Sequence, residues 1–265
     1  MNAYGDDMSL AHVLADTADS IAMSRFRAND LRVTSKPDLS PVTDADTAVE
    51  DALRRTIGRA RPRDGVLGEE FGSSEPAAWP ASRRWIIDPI DGTKNFVRGV
   101  PVWGTLIALL AGEEPVVGLV SAPALGRRWW GAKGTGAYAG KHQHAATRIH
   151  VSEVADLRDA SLSYSSLSGW DEQGRLPGLL DLSLGVWRSR AYGDFYSYML
   201  LAEGAVDIAC EPEVSLWDLA ALAPVVTEAG GVFTDLEGRP GPGGGSAVAT
   251  NGKLHEDVLH HLQPR

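Results

Sequence analysis

A single cysteine, Cys210, stands among the 265 residues, so no intrachain disulfide can form. No run reaches the roughly 18 apolar residues of a membrane-spanning helix. Positive charge is scarce as well: 25 Lys and Arg face 35 Asp and Glu, a formal net charge of −10. No basic stripe offers a face to nucleic acid. Met1 to Ser9 is polar and acidic, without the basic start and apolar centre of a secretory signal. There is no internal repeat and no sharp linker. These shortages exclude a disulfide scaffold, a membrane span and a nucleic-acid binder, and the expectation is a soluble cytoplasmic protein. With 43% apolar residues the chain can build a full core, as one large domain or two small ones.

The chain is organised around Trp85-Ile86-Ile87-Asp88-Pro89-Ile90-Asp91-Gly92-Thr93-Lys94-Asn95-Phe96. Trp85 to Ile87 reads as the end of a buried strand. Pro89 cannot donate a ladder hydrogen bond, so it is expected to end or edge that strand. Asp88 and Asp91 then fall in the turn that follows. Two carboxylates so close in a tight turn repel unless a cation sits between them. A hard divalent ion such as Mg²⁺, held by carboxylate and backbone oxygens, suits the pair. The amides of Gly92 and Thr93 would hold a phosphate beside it. The bland reading of the same residues is a turn whose aspartates cap a helix.

Earlier in the chain, Leu10, Val13, Leu14, Ala18, Ile21, Ala22 and Phe26 share one face of a helix expected over Asp7 to Arg27. A short strand is expected at Leu31 to Val33. Thr43 or Asp44 would N-cap a helix that carries Val49, Leu53 and Ile57 inward and stops before Pro62. Asp46 would lie in its first turn, where the helix dipole favours negative charge. Alone, Asp44 and Asp46 read as capping residues and Lys36 as a solvated surface charge. Asp64 to Phe71 reads as a strand running into a turn. Adjacent carboxylates at a strand end ordinarily read as exposed; the functional reading is that Glu69 reaches a metal and Glu70 supports it from behind. Gly72 to Ser82 reads as a loop. Val102 to Leu110 is expected as a buried strand, and Val116 to Ser121 with Arg127 to Ala132 as a hairpin. His142 and His144 have no third ligand near them and read as exposed loop residues.

Near Thr147 the pattern changes to alternating strands and helices, with strands at Ser161–Tyr164, Val186–Ser189 and Val206–Ala209. The helices fall near Gly178–Leu184, Phe195–Gly204 and Leu216–Glu228. Residues 1–146 are therefore expected as an N-terminal α+β subdomain and 147–265 as a C-terminal α/β subdomain. Asp194 and Asp218 each precede or open a helix and, alone, read as caps. His255, His260 and His261 in a final helix, Lys253 to Leu262, read as surface residues.

Four motifs in order carry a resemblance that spans most of the chain: Pro41-Val42-Thr43-Asp44-Ala45-Asp46 with Val49-Glu50, then Gly68-Glu69-Glu70, then Asp88 to Phe96, then Trp217-Asp218-Leu219-Ala220-Ala221. Together they resemble the Mg²⁺-dependent phosphatases of the inositol monophosphatase family, within the fructose-bisphosphatase-like superfamily. The resemblance implies an α+β fold, a layered αβαβα sandwich, commonly dimeric, acting on a small-molecule phosphate monoester. It implies that Glu69, Asp88 and the carbonyl of Ile90 bind a first Mg²⁺, and Asp88, Asp91 and Asp218 a second. Asp46 with Glu69 would hold a third, weaker ion, with Mn²⁺ as a substitute metal. It further implies a water nucleophile oriented by Glu69 and Thr93, and a phosphate cradle at Gly92 and Thr93 with Lys94 alongside. Carboxylate and carbonyl ligands without histidine or cysteine also favour Mg²⁺ on their own chemistry.

Inositol phosphatases usually carry a small or hydroxyl residue at the position matching Asp194, whereas here it is a carboxylate. Glu211 matches the family's acidic substrate-binding residue. Two carboxylates beside the leaving group suit a cationic alcohol such as histidinol better than a neutral polyol. Val100-Pro101-Val102-Trp103, Arg127-Arg128-Trp129-Trp130 and the run from Arg190 to Tyr198 also resemble histidinol-phosphate phosphatases of actinobacterial type. L-Histidinol phosphate is therefore the expected substrate, with Arg190 among its expected contacts. Hydrolysis of inositol 1-phosphate, or of sugar or nucleotide 3′-phosphates, is the alternative within the family. A non-catalytic metal-binding regulatory protein is the alternative outside it.

Overall fold

The run Trp85-Ile86-Ile87 is fully buried because its strand lies inside an eight-stranded sheet, covered on both faces. The computed structural model describes residues 3–37, 39–74 and 82–263. In order, α1 (Gly5–Arg25), β1 (Val33–Ser35), β2 (Pro41–Thr43) and α2 (Asp44–Ala60) lead into β3 (Gly65–Gly68), β4 (Gly72–Ser74), β5 (Arg83–Asp91) and α3 (Thr93–Arg98). A meander follows: β6 (Gly104–Ala111), β7 (Glu114–Ala122), β8 (Arg127–Ala132), β9 (Gly136–Gly140) and β10 (Thr147–Ile149). Then come β11 (Ser161–Tyr164), α4 (Leu167–Glu172), α5 (Leu176–Gly185), β12 (Arg188–Arg190), α6 (Asp194–Ala202) and β13 (Ile208–Glu211). The chain closes with α7 (Leu216–Leu219), α8 (Leu222–Glu228), β14 (Val232–Thr234), β15 (Ala247–Thr250) and α9 (His255–Leu262).

The first sheet runs β10-β9-β8-β7-β6-β5-β3-β4, and the second, five-stranded sheet runs β12-β11-β13-β15-β14. Helices α1 and α2 cover one face of the first sheet, with Leu14, Val49, Leu53 and Ile57 packed on Trp85, Ile87 and Leu109. Between the sheets lie α6 and α8, where Phe195, Tyr198, Val225 and Val226 meet Ile86, Leu106, Trp129 and Ala249. Beyond the second sheet lie α5 and α9, whose Leu179, Leu182 and Val258 join Leu162, Ile208 and Val248. The layering is αβαβα, an α+β fold. Gly118 makes the middle layer close: a Cβ there would fall 2.2 Å from the Ala221 carbonyl oxygen, so only glycine lets α8 rest on β7.

Several local expectations are corrected. Pro89 does not end its strand, since β5 continues to Asp91. Its register with β6 shifts between Asp88 and Asp91, so the missing N–H falls where the ladder is already interrupted. The Pro89 carbonyl accepts a hydrogen bond from Thr105 Oγ1 at 2.8 Å. Gly72 to Ser74 pairs with β3 instead of looping, while 75–81 lies outside the described residues. The strand expected at Leu31 to Val33 begins at Val33. The helix expected over Leu216 to Glu228 is two helices, broken at Ala220–Ala221. His255 is buried, its ring within 3.0 Å of Thr234 Oγ1 and 3.2 Å of Thr250 Oγ1.

Candidate active site

The end of β5, the turn after β3 and the starts of α3, α6 and α7 converge on a cavity of about 660 Å³. Glu69, Asp88, Ile90, Asp91, Gly92, Thr93, Lys94, Asp194, Glu211 and Asp218 all line it. Asp46 sits just behind, with Thr93 Oγ1 3.3 Å from its Oδ1. Arg190 is not brought there. It is exposed at the end of β12 and donates to the neighbouring Ser189 carbonyl at 2.7 Å.

The cap and the ligand readings of the aspartates turn out to be compatible. Each aspartate commits one carboxylate oxygen to a backbone amide. Asp46 Oδ2 accepts from Thr43 N at 2.8 Å, completing the capping box of α2. Asp88 Oδ1 accepts from Ile90 N at 3.0 Å. Asp91 Oδ2 accepts from Phe195 N at 2.7 Å, tying β5 to α6. Asp218 Oδ2 accepts from Ser215 N at 2.8 Å, in the capping box of α7. One oxygen of each is thus tied to the backbone and orients the side chain, an arrangement that would hold it in place as a ligand.

Asp88, Asp91 and Asp218 each offer an oxygen within 4.8 Å of the others, a group that could hold a metal ion. The electrostatics are those of anions crowded out of water. Burial, then the charges of Glu69, Asp91 and Asp218, push the Asp88 carboxyl well above its ordinary range. Burial, then Asp194 and Asp218, do the same to Asp91. Asp218 is pushed up to about 6, mainly by burial. Among the described residues the lining holds no histidine or cysteine, so its donors are hard oxygens that fit a hard divalent cation.

Lys36 is not a solvated charge. Its Nζ lies 2.6 Å from Glu69 Oε1 and 2.7 Å from Glu70 Oε1. Glu50 was legible in the sequence only as part of a motif, yet it anchors the same turn. Its fully buried carboxylate accepts from Glu70 N at 2.7 Å, Phe71 N at 3.1 Å and Arg54 Nε at 2.7 Å. The available signal was its four-residue spacing from Arg54 on one helix face.

Gly92 caps α3 at φ 82°, a conformation that suits glycine, and a Cβ there would lie 3.1 Å from Asp194 Oδ2. Asp194 is not the N-cap of α6; Gly193 is. Asp194 takes φ 47° as the first helical residue, where Asp is among the residues that tolerate it. Its carboxyl is raised by burial against the opposing pull of Lys94. Glu211, at the end of β13, is pushed up to about 8 by burial, Asp194 and Asp218.

A layered αβαβα core thus carries, at the end of a central strand, an oxygen-only acidic cluster that could hold a metal ion, a combination that suits a phosphatase. Residues 7–265 match the inositol monophosphatase family, and the chain belongs to it. It is 61% identical over 269 residues to a histidinol-phosphatase of Streptomyces coelicolor, covering 100% of both chains. It is 62% identical over 257 residues to a histidinol-phosphatase of Mycobacterium tuberculosis, covering 97% of this chain and 98% of that one. Among solved structures, an inositol monophosphatase from Zymomonas mobilis superposes with a TM-score of 0.86 at 35% identity, covering 99% of each chain. Among the described residues no helix is long and apolar enough to cross a membrane.

Proposed function

We propose that the protein hydrolyses L-histidinol phosphate to L-histidinol and phosphate, a step of histidine biosynthesis, with Mg²⁺ bound by its carboxylates. The observation that carries this is the joining, in one cavity, of the Asp88–Asp91–Asp218 cluster to a second acidic pair, Asp194 and Glu211. Two further half-buried carboxyl groups beside a phosphate site are unfavourable for an anionic or neutral leaving group. A cationic one relieves them, because an opposite charge favours the ionised carboxylate.

Asp88, Asp91, Asp218, Glu69 and the Ile90 carbonyl would hold two ions, and Asp46 with Glu69 a third, with Mn²⁺ as substitute. Bound there, the metal supplies charge neutralisation of the phosphate, a more acidic water and stabilisation of the leaving alkoxide. The chain's own groups do the rest. The Thr93 hydroxyl donates to Ile90 O at 2.9 Å or to Asp46 Oδ1 at 3.3 Å. Its oxygen is thereby left to accept from the attacking water, which Glu69 orients from the other side. Gly92 and Thr93 open α3 toward the phosphate and Lys94 adds positive charge. Asp194 and Glu211 receive the amine and imidazole of the leaving group.

The same reading places Glu69, Thr93 and Asp46 as the catalytic set and residues 147–265 as the subdomain that brings the pocket and Asp218 to the metal residues of 1–146. It takes the working form to be a cytoplasmic homodimer, which light scattering after gel filtration would check. The test of function is phosphate release with Mg²⁺ from L-histidinol phosphate, inositol 1-phosphate, fructose bisphosphate and a 3′-phosphonucleotide. A strong kcat/KM preference for histidinol phosphate is expected. A preference for inositol phosphate, or a flat profile, would leave the metal chemistry standing and refute the pocket.

A further inference from the structure

We propose that Tyr198 is a positioning residue for substrate selection, acting through Glu211: its buried hydroxyl holds that side chain in place, turned to the cationic end of the substrate. The inference rests on the reading that Glu211 receives that end.

Asp194 and Tyr198 are four residues apart in α6 and so lie on one face of the helix. Asp194 reaches the cavity wall, while Tyr198 lies one turn deeper and is fully buried. Its ring packs on Phe233, with centroids 5.7 Å apart, and joins the core between the sheets. A ring so held has one orientation, and its hydroxyl must find a partner there. It finds Glu211 Oε2, at 3.1 Å. Glu211 is the last residue of β13, where it pairs with Ala247, and the buried Pro212 follows it. Its backbone is therefore anchored and its side chain is oriented from below by the phenol. A donor to one carboxylate oxygen fixes the side chain and leaves the other oxygen for the substrate. Thus α6 carries both an acidic contact and, one turn on, the group that fixes the second acidic contact.

Tyr198→Phe removes the hydroxyl and keeps the ring. The test compares the wild type, Tyr198→Phe, Glu211→Gln and the double variant with Mg²⁺, on L-histidinol phosphate and on glycerol 2-phosphate, whose leaving group is neutral. Thermal melting of each protein reports the fold. We expect Tyr198→Phe to raise KM for histidinol phosphate about tenfold, with a much smaller change in kcat. The ratio of kcat/KM between the two substrates should fall about tenfold, and as far or further in Glu211→Gln. The double variant should lose no more selectivity than Glu211→Gln alone, because the hydroxyl acts only through that carboxylate. Equal losses on both substrates in Tyr198→Phe would reduce Tyr198 to a packing residue and overturn the proposal, as would further loss of selectivity in the double variant. Unchanged selectivity in Tyr198→Phe, with a loss in Glu211→Gln, would overturn the role of Tyr198 alone. Unchanged selectivity in Glu211→Gln would overturn the reading of Glu211 as well.

Discussion

Gly68→Ala should be far more damaging than its size suggests. An added Cβ would fall 2.1 Å from Glu50 Oε1, 2.3 Å from Cδ and 2.7 Å from Oε2. Ordinary contact begins near 3.4 Å, so the carboxylate must retreat by roughly an ångström or more. Glu50 is fully buried and cannot swing into water. Retreat gives up its bonds to Glu70 N, Phe71 N and Arg54 Nε. Separating a buried carboxylate from its partners costs about 3–5 kcal/mol. At about 2–4 °C per kcal/mol for a chain near this size, the melting temperature should fall by about 10 °C. The same turn carries Glu69, so the Mg²⁺ concentration for half-maximal activity should rise. Gly58→Ala is the control, because a Cβ there meets nothing within 4 Å and alanine is the better helix former. Differential scanning calorimetry and a Mg²⁺ titration of activity read the two effects. Melting within about 2 °C of wild type with an unchanged Mg²⁺ midpoint would refute the clamp.

Other outcomes follow from the same geometry. Thr93→Ala should lower kcat by about 10²- to 10³-fold, the scale of losing one positioned polar group, with little change in melting temperature. Asp194→Asn should cost much more kcat/KM on L-histidinol phosphate than on a small generic ester, and equal losses would sink the pocket argument. Mg²⁺ should raise the melting temperature more at pH 8 than at pH 5.5, because Asp88, Asp91 and Asp218 have raised pKa values and must lose protons to bind it. Calorimetry in two buffers should show protons released, and a pH-independent shift would contradict this. His12 is buried, its Nε2 has no hydrogen-bond partner among the described residues, and burial and Arg128 lower its pKa to about 4. The unfolded chain takes the proton near 6.5 and the folded one resists it. This contribution is thus full above about pH 6.5 and is lost as pH falls toward 4. His12→Phe should flatten the acid limb of stability by about 1–2 kcal/mol, after allowance for partial solvent screening. Parallel curves for the two proteins would refute it.

What could be read from the sequence was local. Asp88 to Thr93 announced itself because strand end, carboxylates and helix start lie within six consecutive residues. Helix α2 was legible from its Thr43 cap and the inward spacing of Val49, Leu53 and Ile57. What stayed hidden depends on partners far along the chain. Lys36 is a surface charge until the fold brings Glu69 to it, 33 residues away. Glu50 looks like any helical glutamate until the Glu70 and Phe71 amides close on it. Pro89 misled because a proline breaks a ladder only where a ladder bond is due, and here the register had already shifted. His255 was read from its helix alone, whereas two other strands supply its partners. Asp218 was ambiguous because a capping-box carboxylate and a site residue can use different oxygens, and Asp194 misled because Gly193, one residue earlier, is the cap of α6.

The central claim is that this acidic pocket selects a cationic leaving group for metal-assisted phosphate hydrolysis. Its most direct measurement is a competition in one vessel: equal concentrations of L-histidinol phosphate and inositol 1-phosphate, Mg²⁺ and the wild-type protein, with both alcohols quantified over time. The ratio of initial rates is the ratio of kcat/KM, free of differences between preparations. Histidinol should appear at least tenfold faster, and a chelator should stop both reactions. Inositol appearing as fast or faster would contradict the account.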